Sequence, residues 1–275
     1  MGPIADTLRG FVSVGAETLR IAASGEGPHA FVAVDPQRLR VEAAAGASAR
    51  LVVVHEKALA SSLSVSLERD ARLEITEVFL AEAFSETGVT QRAGSRCSLV
   101  TVQLASANAS YRVDLEEPGA ESSVGGAFLA GGGEHCAVRL RTNHFAPECR
   151  SDASVRGIAA DGGLGEFRGL VYVAPDAQRT DACQQSRNIL LGEGARIVTE
   201  PQLEIYADDV KCTHGATVGQ MDAEAILYMR QRGLSRTLAR RLQIEGFVGD
   251  IVRRACGEEL GEALMEAVAR KMERM

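Results

Sequence analysis

A chain of 275 residues with 45% apolar content and a net charge of −7 is long enough to bury a large core in one domain or two. The acidic balance excludes the strongly basic footprint of a nucleic-acid binder, and no apolar run is long enough to cross a bilayer as a helix. Six cysteines without a CxxC pair, and no signal-peptide apolar stretch after the first six residues, point to free thiols in a reducing cytoplasm.

Residues 1–30 form a weakly patterned N-terminal segment. Phe11-Val12-Ser13-Val14 reads as a strand, residues 24–28 as a turn or loop, and His29 as a surface histidine. Short strand-like runs then follow one another at 31–34, 51–54, 63–67, 73–76, 99–102, 111–115, 138–140 and 170–173, with no helical period between them. A weak repeat runs beneath them. Ala49-Arg50-Leu51 returns as Ala71-Arg72-Leu73, then Ser95-Arg96-Cys97 and Ala120-Glu121-Ser122 follow, with Ala195-Arg196-Ile197 as a late echo. A period in the low twenties is too long for a hairpin and suits one coil of a β-solenoid. An antiparallel sandwich with irregular turns is the alternative.

Within this body the chemistry-bearing residues are few. His55 beside Glu56 reads as surface, and Cys183 as an inward-facing filler. His135 and Cys136 are neighbours, so on a strand they face opposite sides. Gly131-Gly132-Gly133 lacks a following Lys-Ser/Thr and is a turn, not a phosphate loop. There is no Walker motif and no Gly-x-Ser-x-Gly elbow, so no catalytic residue is assigned. His144 and Cys149, five apart, could form a metal pair, but the favoured reading of His144 is a buried turn histidine satisfying backbone carbonyls.

The stretch from Pro201 to Gly219 carries the most information. Leu203 and Ile205 alternate with Glu204 and Tyr206 as in a strand, and Asp208 and Asp209 follow. Cys212 and His214 stand two residues apart, so in an extended segment they point to one side. A soft sulfur beside an imidazole suits iron or zinc, but two ligands do not close a site. Asp208 or Asp209 could orient His214, and Lys211 could lower the Cys212 pKa.

After Gly219 the pattern turns helical. Asp222 caps a helix that Gly233 ends. Ser235 caps a second, with Leu238, Leu242, Val248, Ile251, Val252 and Ala255 on a stripe that Gly246 and Gly249 weaken. Gly257 precedes a third carrying Leu260, Leu264 and Val268. Residues 31–221 are thus expected as the β core and 222–275 as a helical domain. The exposed set Arg236, Leu238, Arg240, Arg241 and Leu242 fits docking to a partner's groove.

From residue 142 to 252 the sequence resembles the SufB/SufD family of iron–sulfur cluster assembly proteins, in its SufD branch. The motifs are His144-Phe145-Ala146-Pro147, Phe167-Arg168-Gly169, Asp176-Ala177-Gln178-Arg179-Thr180-Asp181-Ala182-Cys183-Gln184, Arg187-Asn188-Ile189-Leu190-Leu191, Cys212-Thr213-His214-Gly215-Ala216-Thr217-Val218-Gly219 and Tyr228-Met229-Arg230-Gln231-Arg232-Gly233-Leu234. The resemblance implies a right-handed parallel β-helix with a C-terminal helical domain. It implies a non-catalytic scaffold that pairs with SufB or with itself, and binds the SufC ATPase, an ABC-type ATPase, through its helices. It also implies a transient iron or iron–sulfur cluster shared at the seam near His214, and a flavin as a further cofactor. The residues ahead of 31 are too few for the N-terminal helical region usual in that family, so a short form is expected. A small metal-binding β-helix enzyme and a metal-free homodimeric module are the alternatives.

Overall fold

The computed structural model describes residues 2–23 and 29–275; the loop expected at 24–28 lies outside the described residues. Helix α1 (Gly2–Thr7) leads into strands β1 (Val12–Ser13), β2 (Thr18–Ile21), β3 (His29–Val34), β4 (Arg38–Ala43), β5 (Ser48–His55), β6 (Leu59–Leu67), β7 (Arg72–Phe79) and β8 (Ala83–Gln91). Then come β9 (Arg96–Gln103), β10 (Ala107–Leu115), β11 (Glu121–Ala130), β12 (His135–His144), β13 (Arg150–Ala160), β14 (Leu164–Val173), β15 (Asp181–Leu191), β16 (Arg196–Ile205) and β17 (Lys211–Gly219). Helices α2 (Ala223–Gln231), α3 (Arg236–Val252) and α4 (Glu258–Met272) complete the chain.

Every strand pairs in parallel with the strand two further on, so odd strands form one sheet and even strands another. This is the coiling of a parallel β-helix, one strand of each sheet per turn. The spacing lengthens along it. Ser48 pairs with Arg72 and Arg72 with Arg96, 24 residues apart each time, whereas Arg150 pairs with Asp181, 31 residues on. The sequence echo at Arg72, Arg96 and Glu121 follows true register. The first echo is two residues out, since Ala49 pairs with Leu73, and Arg196 belongs to the other sheet.

Alternation places the core. In β7 the inward positions are Leu73, Ile75, Glu77 and Phe79, each register-stacked on the coils either side. Stacking like on like buries Leu51, Ile75 and Leu99 completely, each stabilising by roughly 1.5–3 kcal/mol. Phe128 lies between Gly157 and Gly165, where a Cβ on either glycine would overlap the ring. The outer face of the odd-strand sheet is also covered. Val52, Val54, Val78, Val100 and Val102 pack against Ile4 of α1 and Ile244, Val248, Ile251, Leu264 and Val268 of α3 and α4. The Cys256 amide donates to Thr76 Oγ1 at 2.8 Å, and Lys271 of α4 pairs with Glu134 at the turn after β11.

The helix ends follow their capping residues. Asp222 accepts from the Glu224 and Ala225 amides, Ser235 accepts from Leu238, and Gly233 and Gly257 adopt positive φ. Gly246 and Gly249 do not break α3, which runs unbroken from Arg236 to Val252; Gly249 is buried, and a Cβ there would meet Arg253. The stripe expected on α3 divides in two. Val248, Ile251, Val252 and Ala255 turn inward, while Leu238 and Leu242 face out, each 43% exposed.

Three single-residue expectations change. His55 is wholly buried, because its partner Glu77 lies one coil away and not beside it in sequence. Cys183 points outward, since Ala182 and Gln184 take the inward positions of β15. Buried His144 bonds a side-chain hydroxyl, Ser151, where backbone carbonyls were expected.

Candidate functional site at the open end of the β-helix

The coils stop at β16 and β17. Strand β16 pairs only with β14, and β17 only with β15, so both leave an unpaired edge. The inward-facing ladders continue into this last turn with nothing stacked above them. Ala182 pairs with Cys212, Gln184 with His214, Ser186 with Ala216 and Asn188 with Val218. Residues that would be core in an earlier coil therefore meet solvent here: Ile205 is 39% and Val218 44% exposed, and His214 is exposed.

Cys212 and His214 share the inward side of β17, as two-residue spacing requires. Cys212 is half-buried against the small apolar cluster of Val171, Val173, Ala182 and Ala207. Burial raises its pKa, Asp181 adds to the rise, and a backbone hydrogen bond at Ala182 opposes it. The isolated chain thus keeps a protonated thiol, the opposite of the shift expected from Lys211. Lys211, Asp208 and Asp209 are exposed, and Asp209 is engaged through its backbone, its amide donating to Gln178 Oε1 and its carbonyl accepting from Arg179.

His144 and Cys149 take separate partners. His144 Nε2 lies 2.8 Å from Ser151 Oγ, and the Cys149 thiol donates to the Glu117 carbonyl at 3.3 Å. Among the described residues no three His, Cys, Asp or Glu side chains converge as metal ligands. Burial lowers the His144 pKa to about 4 from its ordinary 6.5. The neutral ring is therefore the native form, and stability is fully present above pH 6.5. It falls as the pH drops from 6.5 toward 4, where the unfolded chain binds a proton that the native one refuses, by up to about 3 kcal/mol. Urea unfolding of His144→Leu across that range should show a shallower decline than the wild type; parallel curves would exclude this histidine as the cause.

The second exposed feature lies on the helices. Leu227 and Tyr228 of α2 and Leu238 and Leu242 of α3 are all more than 40% exposed, and α2 buries none of its residues. Arg236 and Arg240 flank them, with Arg241 held by Glu245 at 2.6 Å.

Comparison with known proteins gives a consistent result. The family model described as "SUF system FeS cluster assembly, SufBD core domain" matches residues 24–247. The iron–sulfur cluster assembly protein SufD of Escherichia coli K12 is 37% identical over 139 residues, 50% of this chain and 33% of that protein. A SufBD family protein of Mycobacterium leprae is 31% identical over 172 residues, 59% of this chain and 44% of its own. SufD of Bacillus subtilis 168 is 31% identical over 129 residues, 47% and 30% respectively. The chain spans less than half the length of these curated relatives.

Proposed function

Since the chain belongs to the SufB/SufD family of iron–sulfur cluster assembly proteins, we propose that it is a SufD-like scaffold whose open β-helix end is one half of an assembly seam. The observation that carries this reading is the uncovered last coil, which presents Cys212 and His214 beside two unpaired strand edges. Unpaired edges template the addition of further strands. A SufB-like subunit, or a second copy of this chain, would cover them and bring the remaining ligands. The cluster is cargo in this scheme: His214 offers a neutral nitrogen, and Cys212 a thiolate once a metal or a partner's charge offsets its burial.

The exposed leucines of α2 and α3 with their arginine rim form the dock for a SufC-like ABC-type ATPase. Hydrolysis belongs to that partner, and this chain acts as a non-catalytic scaffold. Six cysteines outside any disulfide are in keeping with a cytoplasmic setting.

Two variants test the two surfaces. Val218→Lys places a charge on the exposed end, and size-exclusion chromatography with light scattering should record weaker pairing at unchanged thermal stability. Leu238→Asp with Leu242→Asp should lose co-purification with the ATPase while pairing persists. Wild-type behaviour of both would remove the assembly reading.

A further inference from the structure

We infer that Gln184 is a positioning residue for His214, its side-chain amide fixing the imidazole in the tautomer that turns a bare nitrogen to the seam. The inference rests on the proposed role of His214 as a ligand. Gln184 lies inward on β15, is 0% exposed, and has neither its Oε1 nor its Nε2 hydrogen-bonded. Each buried polar atom left this way is costly, and such atoms in folded proteins nearly always have a partner.

Its surroundings offer that partner in one direction. Below it on the ladder is Ala153. Across the interior is Gly169, whose missing side chain is the space the amide occupies, since a Cβ there would overlap it. Along its own strand stand Ala182 and Ser186, and the Ser186 hydroxyl, which accepts from Asn188 at 2.9 Å, makes no hydrogen bond to the Gln184 amide. Above it, in register, is His214. Paired residues of neighbouring parallel strands lie about 4.8 Å apart with side chains on the same face. His214 is exposed, so its ring is not held by packing where it stands, and a change of rotamer would bring it toward the amide.

The chemistry suits the task. Gln184 Oε1 can accept one imidazole N–H, which leaves the other ring nitrogen unprotonated and facing outward. An amide does this without adding charge to a site that must take up iron and sulfide. Asp208 and Asp209, the orienting groups expected from sequence, lie exposed on the loop before β17.

The test is Gln184→Leu, with Gln184→Met as the unbranched alternative where leucine packs poorly. A core residue with no role in the site would give a variant of equal or higher thermal stability and an unaltered His214. Nitrogen-15 NMR of the full chain should find His214 predominantly in one neutral tautomer in the wild type, and in the unrestrained mixture in the variant. Identical tautomer populations would overturn the inference. Cobalt(II) titration provides a second arm: binding lost in His214→Ala should be about 10–100-fold weaker in Gln184→Leu. Cobalt(II) binding indifferent to His214→Ala counts against His214 as a ligand, while the tautomer result still decides the role of Gln184.

Discussion

Replacing Glu77 with alanine should cost about 3–5 kcal/mol of folding stability, because it leaves three buried donors without an acceptor at about 1–3 kcal/mol each. Glu77 lies inside the β-helix and is 1% exposed. Its Oε1 accepts from Ser85 Oγ at 2.6 Å and from His55 Nε2 at 2.8 Å, and its Oε2 from the Tyr111 hydroxyl at 2.6 Å. These donors come from β5, β8 and β10, so one carboxylate ties three successive coils and both sheets. Tyr111 is held well above its ordinary pKa, first by burial and then by the Glu77 charge, so it remains a donor. His55 is fixed further by stacking on Phe79 with centroids 4.6 Å apart.

Alanine would leave all three donors without an acceptor and open a void beside them. Glu77→Gln keeps the volume and one acceptor, and should cost less, about 1–3 kcal/mol. For a chain of this length the alanine variant should melt roughly 6–20 °C lower. A double-mutant cycle of Glu77→Ala with His55→Phe should be clearly non-additive, because the two share one network. A loss below about 1 kcal/mol for Glu77→Ala would mean that the network contributes little beyond what solvent supplies to the unfolded chain.

Sequence revealed the parts of this fold governed by local chemistry. Asp222, Ser235, Gly233 and Gly257 mark helix ends because capping depends on the few residues around each end. Runs such as 51–54 and 99–102 announce strands because the odd-strand sheet is apolar on both faces there, one side toward the interior and one toward α3 and α4. Strand β8 carries no such run, and β13 and β15 carry one only at their ends, at 158–160 and 189–191. Their inward positions are filled by Ala83, Ser85 and Thr87, by Ser151 and Ala153, or by Ala182, Gln184 and Ser186, which a narrow coil accommodates and which pattern reading passes over.

Contacts between coils were harder to see. His55 and Glu77 are 22 residues apart, Gln184 and His214 are 30, and the spacing lengthens along the chain. A fixed repeat therefore cannot align them. The Cys212–His214 pair was visible because its geometry lies within one strand. Its place at an open end was not, because that depends on where the coils stop.

The substitution expected to have the largest functional effect is the pair Cys212→Ser with His214→Ala, which should reduce cluster formation at least tenfold, the lower bound for lost orienting partners and a conservative one for lost ligands. Both residues contact the open end and little else. His214 is exposed, and Cys212 adds one half-buried thiol to the Val171 cluster. Fold stability should therefore change by less than about 1 kcal/mol, within the ordinary range for surface positions. That separation makes the result interpretable. The measurement is anaerobic reconstitution of the assembled complex with iron and sulfide, followed by the charge-transfer absorbance of the cluster and by labile sulfide. The single variants rank the ligands. Full cluster yield from the double variant, in a complex that still pairs and still binds its ATPase, would leave the open end as a docking surface alone and move the cluster ligands to the partner.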